Sequence, residues 1–279
     1  MNQVQASSFP ALAGALLVAV AMSGCDQLCG KTGKLCVGQL NDTGVTTCSN
    51  ADTNGLPCND TSSGTDAYRG QDAEYGRDVT ANDDRDGRAG FVFTKLGADG
   101  KPLAIQNGTW DDAGSEAAGT RWTCVRDEIT QRVWEVKTND PASVHDRDHM
   151  YSWYDPDSAT NGGSAGTPNG GTCAAAQTSL GYGCDTDGFA KYVNDTGGLC
   201  GFVDWRVPAA DEIQSLADFS VANPAPAIDQ RYFPNSDTYW SATPSSHDVN
   251  LAFRVAKAGF IGAYDKAVLF RVRLVRGGP

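Results

Sequence analysis

Histidine is scarce in this chain, at three of 279 residues, and no cysteine lies beyond Cys200. No H-E-x-x-H or phosphate-loop pattern occurs. None of the histidines adjoins a serine or cysteine in a recognisable nucleophile motif. The sequence therefore offers no positive argument for catalysis, and a binding role without a cofactor is expected. Positive charge is also short: 22 Lys and Arg face 34 Asp and Glu, for a formal net charge of −12 and a pI near 4.6. An acidic surface of that kind does not bind nucleic acid through non-specific charge. Long apolar runs are missing apart from Phe9 to Met22, which is too short to span a bilayer comfortably.

That run has the length of a signal-peptide core and ends at Met22-Ser23-Gly24-Cys25. Small residues before a cysteine resemble a bacterial lipoprotein cleavage box, so residues 1–24 read as a signal and Cys25 as the lipidated first mature residue. The n-region lacks Lys or Arg, and an ordinary secretory signal with Cys25 as a plain thiol is the alternative. Acyl chains on Cys25 would hold the protein at a membrane without a transmembrane helix. Eight cysteines remain: Cys29, Cys36, Cys48, Cys58, Cys124, Cys173, Cys184 and Cys200. An even number in an exported chain reads as disulfides.

Residues 25–64 read as a cysteine-containing stalk, because a segment so poor in aromatics cannot bury a core and needs disulfides to hold a shape. No C-x-x-C pair or histidine accompanies its cysteines, which argues against zinc. Residues 65–279 read as the folded head. Asp83-Asp84-Arg85-Asp86-Gly87 and Asp185-Thr186-Asp187-Gly188 invite a calcium-loop reading, but Phe93 and Thr196 fall where a bidentate Glu is needed. Turns are expected at both. Val133 to Lys137 alternates apolar and polar residues, as a half-buried strand would. Residues 138–172 form a long Gly/Asn/Ser-rich stretch, and loops of that length are often functional. His145 and His149, at i and i+4, could face a metal on a helix, yet no third ligand is evident and a solvated polar loop is the expectation.

Asp187 to Val193 reads as a helix. The stretch Leu199 to Leu216 then supplies a cysteine tether, the large anchor Trp205, and Pro208 to start a helix over 209–218 with Ile213, Leu216 and Ala217 on one face. Short strands follow at Tyr239-Trp240-Ser241, Leu251 to Val255, Gly259 to Ala263 and Val268 to Val275, with turns at Lys257-Ala258 and Asp265-Lys266. From Asn250 onward six basic residues (Arg254, Lys257, Lys266, Arg271, Arg273, Arg276) face one acid, Asp265, so this segment carries +5 and the other 249 residues −17. A basic stripe on an acidic body suits an anionic polysaccharide, and the arginine fork suits sulfate or carboxylate. The competing expectation is that Arg271, Arg273 and Arg276 neutralise acidic neighbours across a sheet.

Taken in order, several motifs resemble the Lcl C-terminal domain family, named for the collagen-like adhesin of Legionella. They are Cys124-Val125-Arg126-Asp127 with Val133-Trp134-Glu135-Val136-Lys137, Tyr151-Ser152-Trp153-Tyr154, Asn169-Gly170-Gly171-Thr172-Cys173, and Leu199-Cys200-Gly201 with Asp204-Trp205-Arg206-Val207-Pro208. Tyr232-Phe233-Pro234, Tyr239-Trp240-Ser241 and Val272-Arg273-Leu274-Val275-Arg276 complete the set. The resemblance covers roughly residues 65–279. It implies an α+β, C-type-lectin-like fold: two helices on a twisted, mostly antiparallel sheet with long loops, stabilised by disulfides. It also implies a surface-anchored bacterial protein that binds polysaccharide or a protein ligand. Family members usually place a Thr after the W-R-x-P proline as helix N-cap; Ala209 stands there instead, a loss of about 1 kcal/mol. The lectin calcium signatures Glu-Pro-Asn and Trp-Asn-Asp are absent, so no metal is carried over, and no collagen-like repeat is present.

On this reading Cys173–Cys184 is the expected local disulfide and Cys124–Cys200 the longer tie. The expected contact residues are Trp240, Asn250, Phe253, Arg254, Lys257, Phe260, Tyr264 and Lys266, aromatics for flat area and cations for charge. Residues 249–270 depart from the family's aromatic- and Asn-rich pattern, as a face varied by a diversity-generating retroelement would. The expected location is the cell envelope, at the outer membrane or cell surface, although Asp26 after the lipid cysteine would favour inner-membrane retention in some bacteria. A structural envelope lipoprotein, or a relative of the lectin-fold sulfatase-modifying oxidases (formylglycine-generating enzymes), are the alternatives; the oxidase chemistry needs a free cysteine pair or copper site near the C-terminal sheet, and none is visible.

Overall fold

The computed structural model describes residues 41–81, 83–222 and 225–277. The expected signal, Cys25, Cys29 and Cys36 lie outside these residues. The described residues belong to one compact unit, Leu35–Pro279. Four short α-helices occur among them: α1 Arg77–Thr80, α2 Ala175–Ser179, α3 Thr186–Asp195 and α4 Ala210–Gln214. Seven strands form two antiparallel sheets. The first sheet has the order β1 (Phe93–Leu96), β2 (Cys124–Asp127), β3 (Arg132–Glu135), β7 (Val275–Gly277). The second has the order β4 (Tyr239–Pro244), β5 (Leu251–Val255), β6 (Ile261–Asp265). The architecture is thus α+β, with antiparallel strands split between two sheets. Tyr239 and Arg271 form a parallel bridge, and the Trp240 amide donates to Arg271 O at 2.8 Å, so the stretch leading into β7 touches both sheets.

The period of two in the first sheet directs alternate side chains into two separate cores. Val125, Trp134 and Val275 point into one, with Phe93, Ile213, Leu216 and Phe233. Cys124, Val133 and Leu274 point into the other, with Tyr151, Trp153, Phe189, Trp205 and Trp240. The sheet is therefore covered on both faces. This corrects the reading of Val133 to Lys137 as half-buried: Glu135 and Lys137 are buried too, and they tolerate it because they pair with each other at 2.9 Å.

Five of the six tryptophans are buried, and four of those place their indole N–H on a carbonyl: Trp122 on Tyr232, Trp153 on Ser241, Trp205 on Leu199 and Phe202, Trp240 on Tyr151. Each thereby fills volume and fixes a loop at one stroke. Three disulfides join described residues: Cys48–Cys58, Cys124–Cys200 and Cys173–Cys184. The last two are the pairs preferred from the sequence.

The α3 helix begins one residue before and ends two beyond the stretch expected. Asp185 is its N-cap and accepts from the Gly188 amide at 2.7 Å, so Asp185 to Gly188 is a helix start and not the turn expected. The helix expected over 209–218 is cut to five residues: the Leu216 and Ala217 amides bond back three residues, to Ile213 and Gln214, which tightens the chain and ends it. The last expected strand, 268–275, is mostly single bridges at Phe270 and Arg271 and becomes a ladder only at β7. Residues 138–172 are irregular but pinned, through bridges of Met150 to Thr172, Tyr151 to Phe270, Ser152 to Asp185 and Tyr154 to Gly166. Residues 41–64, expected within a stalk, dock on the head. Asn41 donates to Asp127, Thr43 O accepts the Phe219 amide at 2.7 Å, and the Ser49 amide donates to Gln71 at 2.7 Å.

Candidate ligand-binding surface

The β5–β6 hairpin is the most exposed regular element of the C-terminal region, and its register decides which side chains meet. Arg254 lies opposite Gly262, and Ala252 opposite Tyr264. With no side chain at Gly262, the guanidinium of Arg254 lies across the Tyr264 ring, 4.6 Å from its centroid, and donates to the Tyr264 hydroxyl at 2.8 Å. A Cβ at 262 would come within 3.2 Å of that ring. Phe270 braces the pair edge-on at 5.3 Å from Tyr264, and Trp240 braces Phe270 at 4.9 Å. The result is an ordered cation-and-aromatic surface on a strand whose side chains are largely in solvent.

The eight expected contact residues separate into distinct places. Arg254 is half-buried and pairs with Tyr264, which is 37 % exposed. Lys257 and Phe260 project from the hairpin tip, Phe260 57 % exposed. Asn250 is exposed at the opposite end, where its carbonyl accepts the Lys266 amide at 2.9 Å. Phe253 is half-buried and packs on the first core. Trp240 and Lys266 do not belong to an exposed face. Trp240 is fully buried as the support of Phe270, and Lys266, 2 % exposed, spends its ammonium on the carbonyls of Asn161 at 2.9 Å and Ser164 at 2.7 Å, over the Trp153 ring.

The basic stripe expected along 250–276 does not form. Arg271 pairs with Asp237 at 3.1 Å and Asp148 at 3.3 Å, and Arg276 pairs with Asp204 at 2.7 Å. Arg273 is buried between Phe233 and Tyr239 and donates to the Tyr239 hydroxyl at 3.1 Å. Neutralisation by acidic neighbours accounts for the first and last; the middle one is a core residue. Only Arg254 and Lys257 present their charge on the hairpin.

His145 and His149 are likewise committed. The Nδ1 of His145 lies 2.8 Å from Glu135 Oε1, and the Nε2 of His149 lies 2.9 Å from Ser143 O. Glu135 also accepts the Leu274 amide at 2.8 Å. Burial alone would raise its pKa, but the Lys137 ammonium and the His145 ring outweigh that and hold it at about 2. Among the described residues no cluster of three or more His, Cys, Asp or Glu could hold a metal ion. No described helix is long and apolar enough to cross a membrane.

Two cavities were not anticipated. One, of about 420 Å³, lies between Trp153, Tyr154, Asp155, Lys191, Arg206 and Val207. The other, of about 340 Å³, is lined by Lys95, Trp110, Arg231 and Tyr232 among others. The only sequence signal for the second was a lysine inside the apolar strand Phe93-Thr94-Lys95-Leu96. No curated protein and no solved structure matches the chain. Residues 123–276, which hold β2, β3, the second sheet with its exposed hairpin and the two disulfides Cys124–Cys200 and Cys173–Cys184, match the Lcl C-terminal domain, and the chain belongs to that family.

Proposed function

We propose that this protein is a non-enzymatic binding module of the bacterial cell envelope, held by a lipid on Cys25, that takes a polysaccharide or another surface ligand on the β5–β6 hairpin. The head is read as a C-type-lectin-like domain, a fold that supports such surfaces on short strands and loops pinned by disulfides. The observation that carries the reading is the Arg254–Tyr264 pair, braced from beneath by Phe270 and Trp240. An aromatic ring stacked under a guanidinium gives a flat, preorganised contact area with a charge on it, and neither side chain must be ordered on binding.

The family membership supports an adhesin-related role. The β6 strand and the hairpin tip are also a suitable place for sequence variation, since their side chains largely contact solvent, whereas Ala252 and Val255 of β5 belong to the cores. Diversification of 249–270 by a retroelement predicts a near-copy of that DNA beside a reverse transcriptase gene, differing only at adenines.

A glycan array probed with the purified protein tests the binding role. Binding that is lost on reversal of Arg254 and Lys257 to Glu supports the hairpin. Binding to no glycan and to no cell-surface extract favours a structural envelope lipoprotein instead.

A further inference from the structure

Lys95 is a buried cation without an anion. Its residue is 2 % exposed. Its ammonium donates one hydrogen bond, to Gly108 O at 2.8 Å, and lies over the Trp122 ring at 3.8 Å and the Tyr232 ring at 5.2 Å. No carboxylate oxygen among the described residues comes within 4.0 Å of it. An ammonium has three donors and only one meets an oxygen here, so another can serve an oxyanion that enters the cavity that Lys95 lines. Burying a charge without a partner is costly. That cost is unusual in a chain so rich in Asp and Glu, where a counter-ion would be easy to supply.

The other cations on the rim are already engaged. Arg231 holds Asp229 through its Nε at 3.0 Å and Nη2 at 2.6 Å, and gives its Nη1 to Asp84 O at 2.5 Å. Arg85 holds Asp83 through Nε and Nη2. Each is neutralised by its own carboxylate, which leaves Lys95 as the cation on the cavity without an anion. Trp110 and Tyr232 supply flat walls and Asn107 an amide. Aromatic faces with amides fit the ring of a sugar, and an ammonium at the floor fits a carboxylate. A cavity of about 340 Å³ is in the range of small-molecule sites.

We infer that the cavity lined by Lys95, Trp110 and Tyr232 is a binding site for an acidic sugar, with the carboxylate of a uronic acid on the Lys95 ammonium and the sugar ring against Trp110 and Tyr232. It shares no residue with the β5–β6 hairpin and lies outside the matched family region at Lys95 and Trp110. It therefore stands or falls separately from the hairpin reading.

The probe is D-glucuronate, with D-glucose as the neutral ring and inorganic sulfate as the bare oxyanion. The full chain is prepared with 13Cε-labelled lysine, and the Lys95 resonance is followed through a pH titration. Burial sets its midpoint near 8 in the free protein. An anion that binds the charged form about tenfold more tightly raises the midpoint by about one pH unit. Glucuronate at tens of millimolar is expected to produce that shift, with glucose and sulfate producing little. Lys95→Met is expected to weaken glucuronate binding about tenfold or more in a ligand-observed titration, while unfolding stays cooperative. Should Lys95→Met fail to fold, the wild-type comparison decides alone. A midpoint unmoved by glucuronate, or moved equally by glucose or sulfate, overturns the inference.

Discussion

Arg206 grips Glu212 with both arms of its guanidinium, at 2.6 and 2.7 Å, and Arg132 reaches the same carboxylate from β3 at 2.9 Å. Glu212 also accepts the Ala209 amide at 2.8 Å. One side chain thus fastens the first turn of α4 to the segment before it and to the first sheet. Burial would raise the Glu212 pKa, but the hydrogen bonds from Arg206 and Ala209 and the charges of Arg206 and Arg132 hold it at about 2.

The sign follows from that depression. A carboxylate with a folded pKa near 2 and an unfolded value near 4.5 stabilises the fold fully above about pH 4.5 and loses this contribution as pH falls to about 2. Glu135 acts in the same window. The midpoint of thermal unfolding is expected to fall steeply between those limits. Glu212→Gln should cost on the order of 2–3 kcal/mol at neutral pH, with the exposure of Arg206 discounted, and little near pH 2. Equal penalties for Glu212→Gln at both pH values would contradict this account of the acid limb.

The first turn of α4 receives a hydroxyl from a distance. The hydroxyl of Thr243 in β4 accepts the amide of Ala210, the first helical residue, at 3.1 Å, whereas a Thr at 209 would accept from residue 211 or 212. Thr243→Ala is expected to destabilise the protein by about 1 kcal/mol. Ala209→Thr serves a different amide and should stabilise the wild type and the Thr243→Ala variant alike. Urea unfolding of the four proteins in a double-mutant cycle measures the coupling. A gain from Ala209→Thr confined to the Thr243→Ala background would mean that the two hydroxyls serve the same amide.

How much of this could be read from the sequence depended on the question. The positions of β3, β5 and α3 and the start of α4 were legible, because turn residues such as Lys257-Ala258 and the helix starter Pro208 are local signals; the ends were not, as α4 stops at Gln214 and 268–275 forms a ladder only at β7. The pairing of Cys124 with Cys200 came from family resemblance, since spacing leaves connectivity open. What failed was inference of exposure. Alternation in Val133 to Lys137 implies a wet face only when one side of a sheet is solvated, and here a second core covers Glu135 and Lys137. The basic stripe failed for the same reason. The partners of Arg271 and Arg276, namely Asp148, Asp237 and Asp204, are distant in sequence from the segment whose charge was summed. Lys95 and Thr243 had no sequence signature, as each acts on a group brought to it only by folding.

The two head disulfides should differ in worth. Cys124–Cys200 closes a loop of sequence separation 76, and Cys173–Cys184 one of 11. Loop-entropy reasoning gives about 4.5 kcal/mol for the first and about 3 kcal/mol for the second. The first also anchors β2 to the segment bearing Trp205 inside the second core. Paired Cys→Ser variants, compared by guanidinium unfolding, are expected to rank in that order. A larger loss from the Cys173–Cys184 pair would show that local geometry at α2 outweighs loop closure.

The separation of paired from free cations leads to a last prediction, about salt and charge reversal. Arg271 and Arg276 sit in ion pairs with Asp residues, so Arg271→Glu and Arg276→Glu would set like charges against Asp148, Asp237 and Asp204. These variants should lower the midpoint of thermal unfolding and leave affinity for an anionic polysaccharide such as heparin within about twofold, after correction for the folded fraction. Lys257→Glu faces solvent at the hairpin tip and should do the reverse, with stability within about 0.5 kcal/mol; Arg254→Glu gives up its stacking and hydrogen bond with Tyr264 and should cost about 1 kcal/mol besides. Both should lower affinity about tenfold, after correction for the folded fraction, with a shallower dependence of affinity on salt. Heparin chromatography and calorimetry at two ionic strengths read both. If all four reversals weakened binding alike, the whole stripe would be acting on the ligand, and the ion pairs of Arg271 and Arg276 would have to open to allow it.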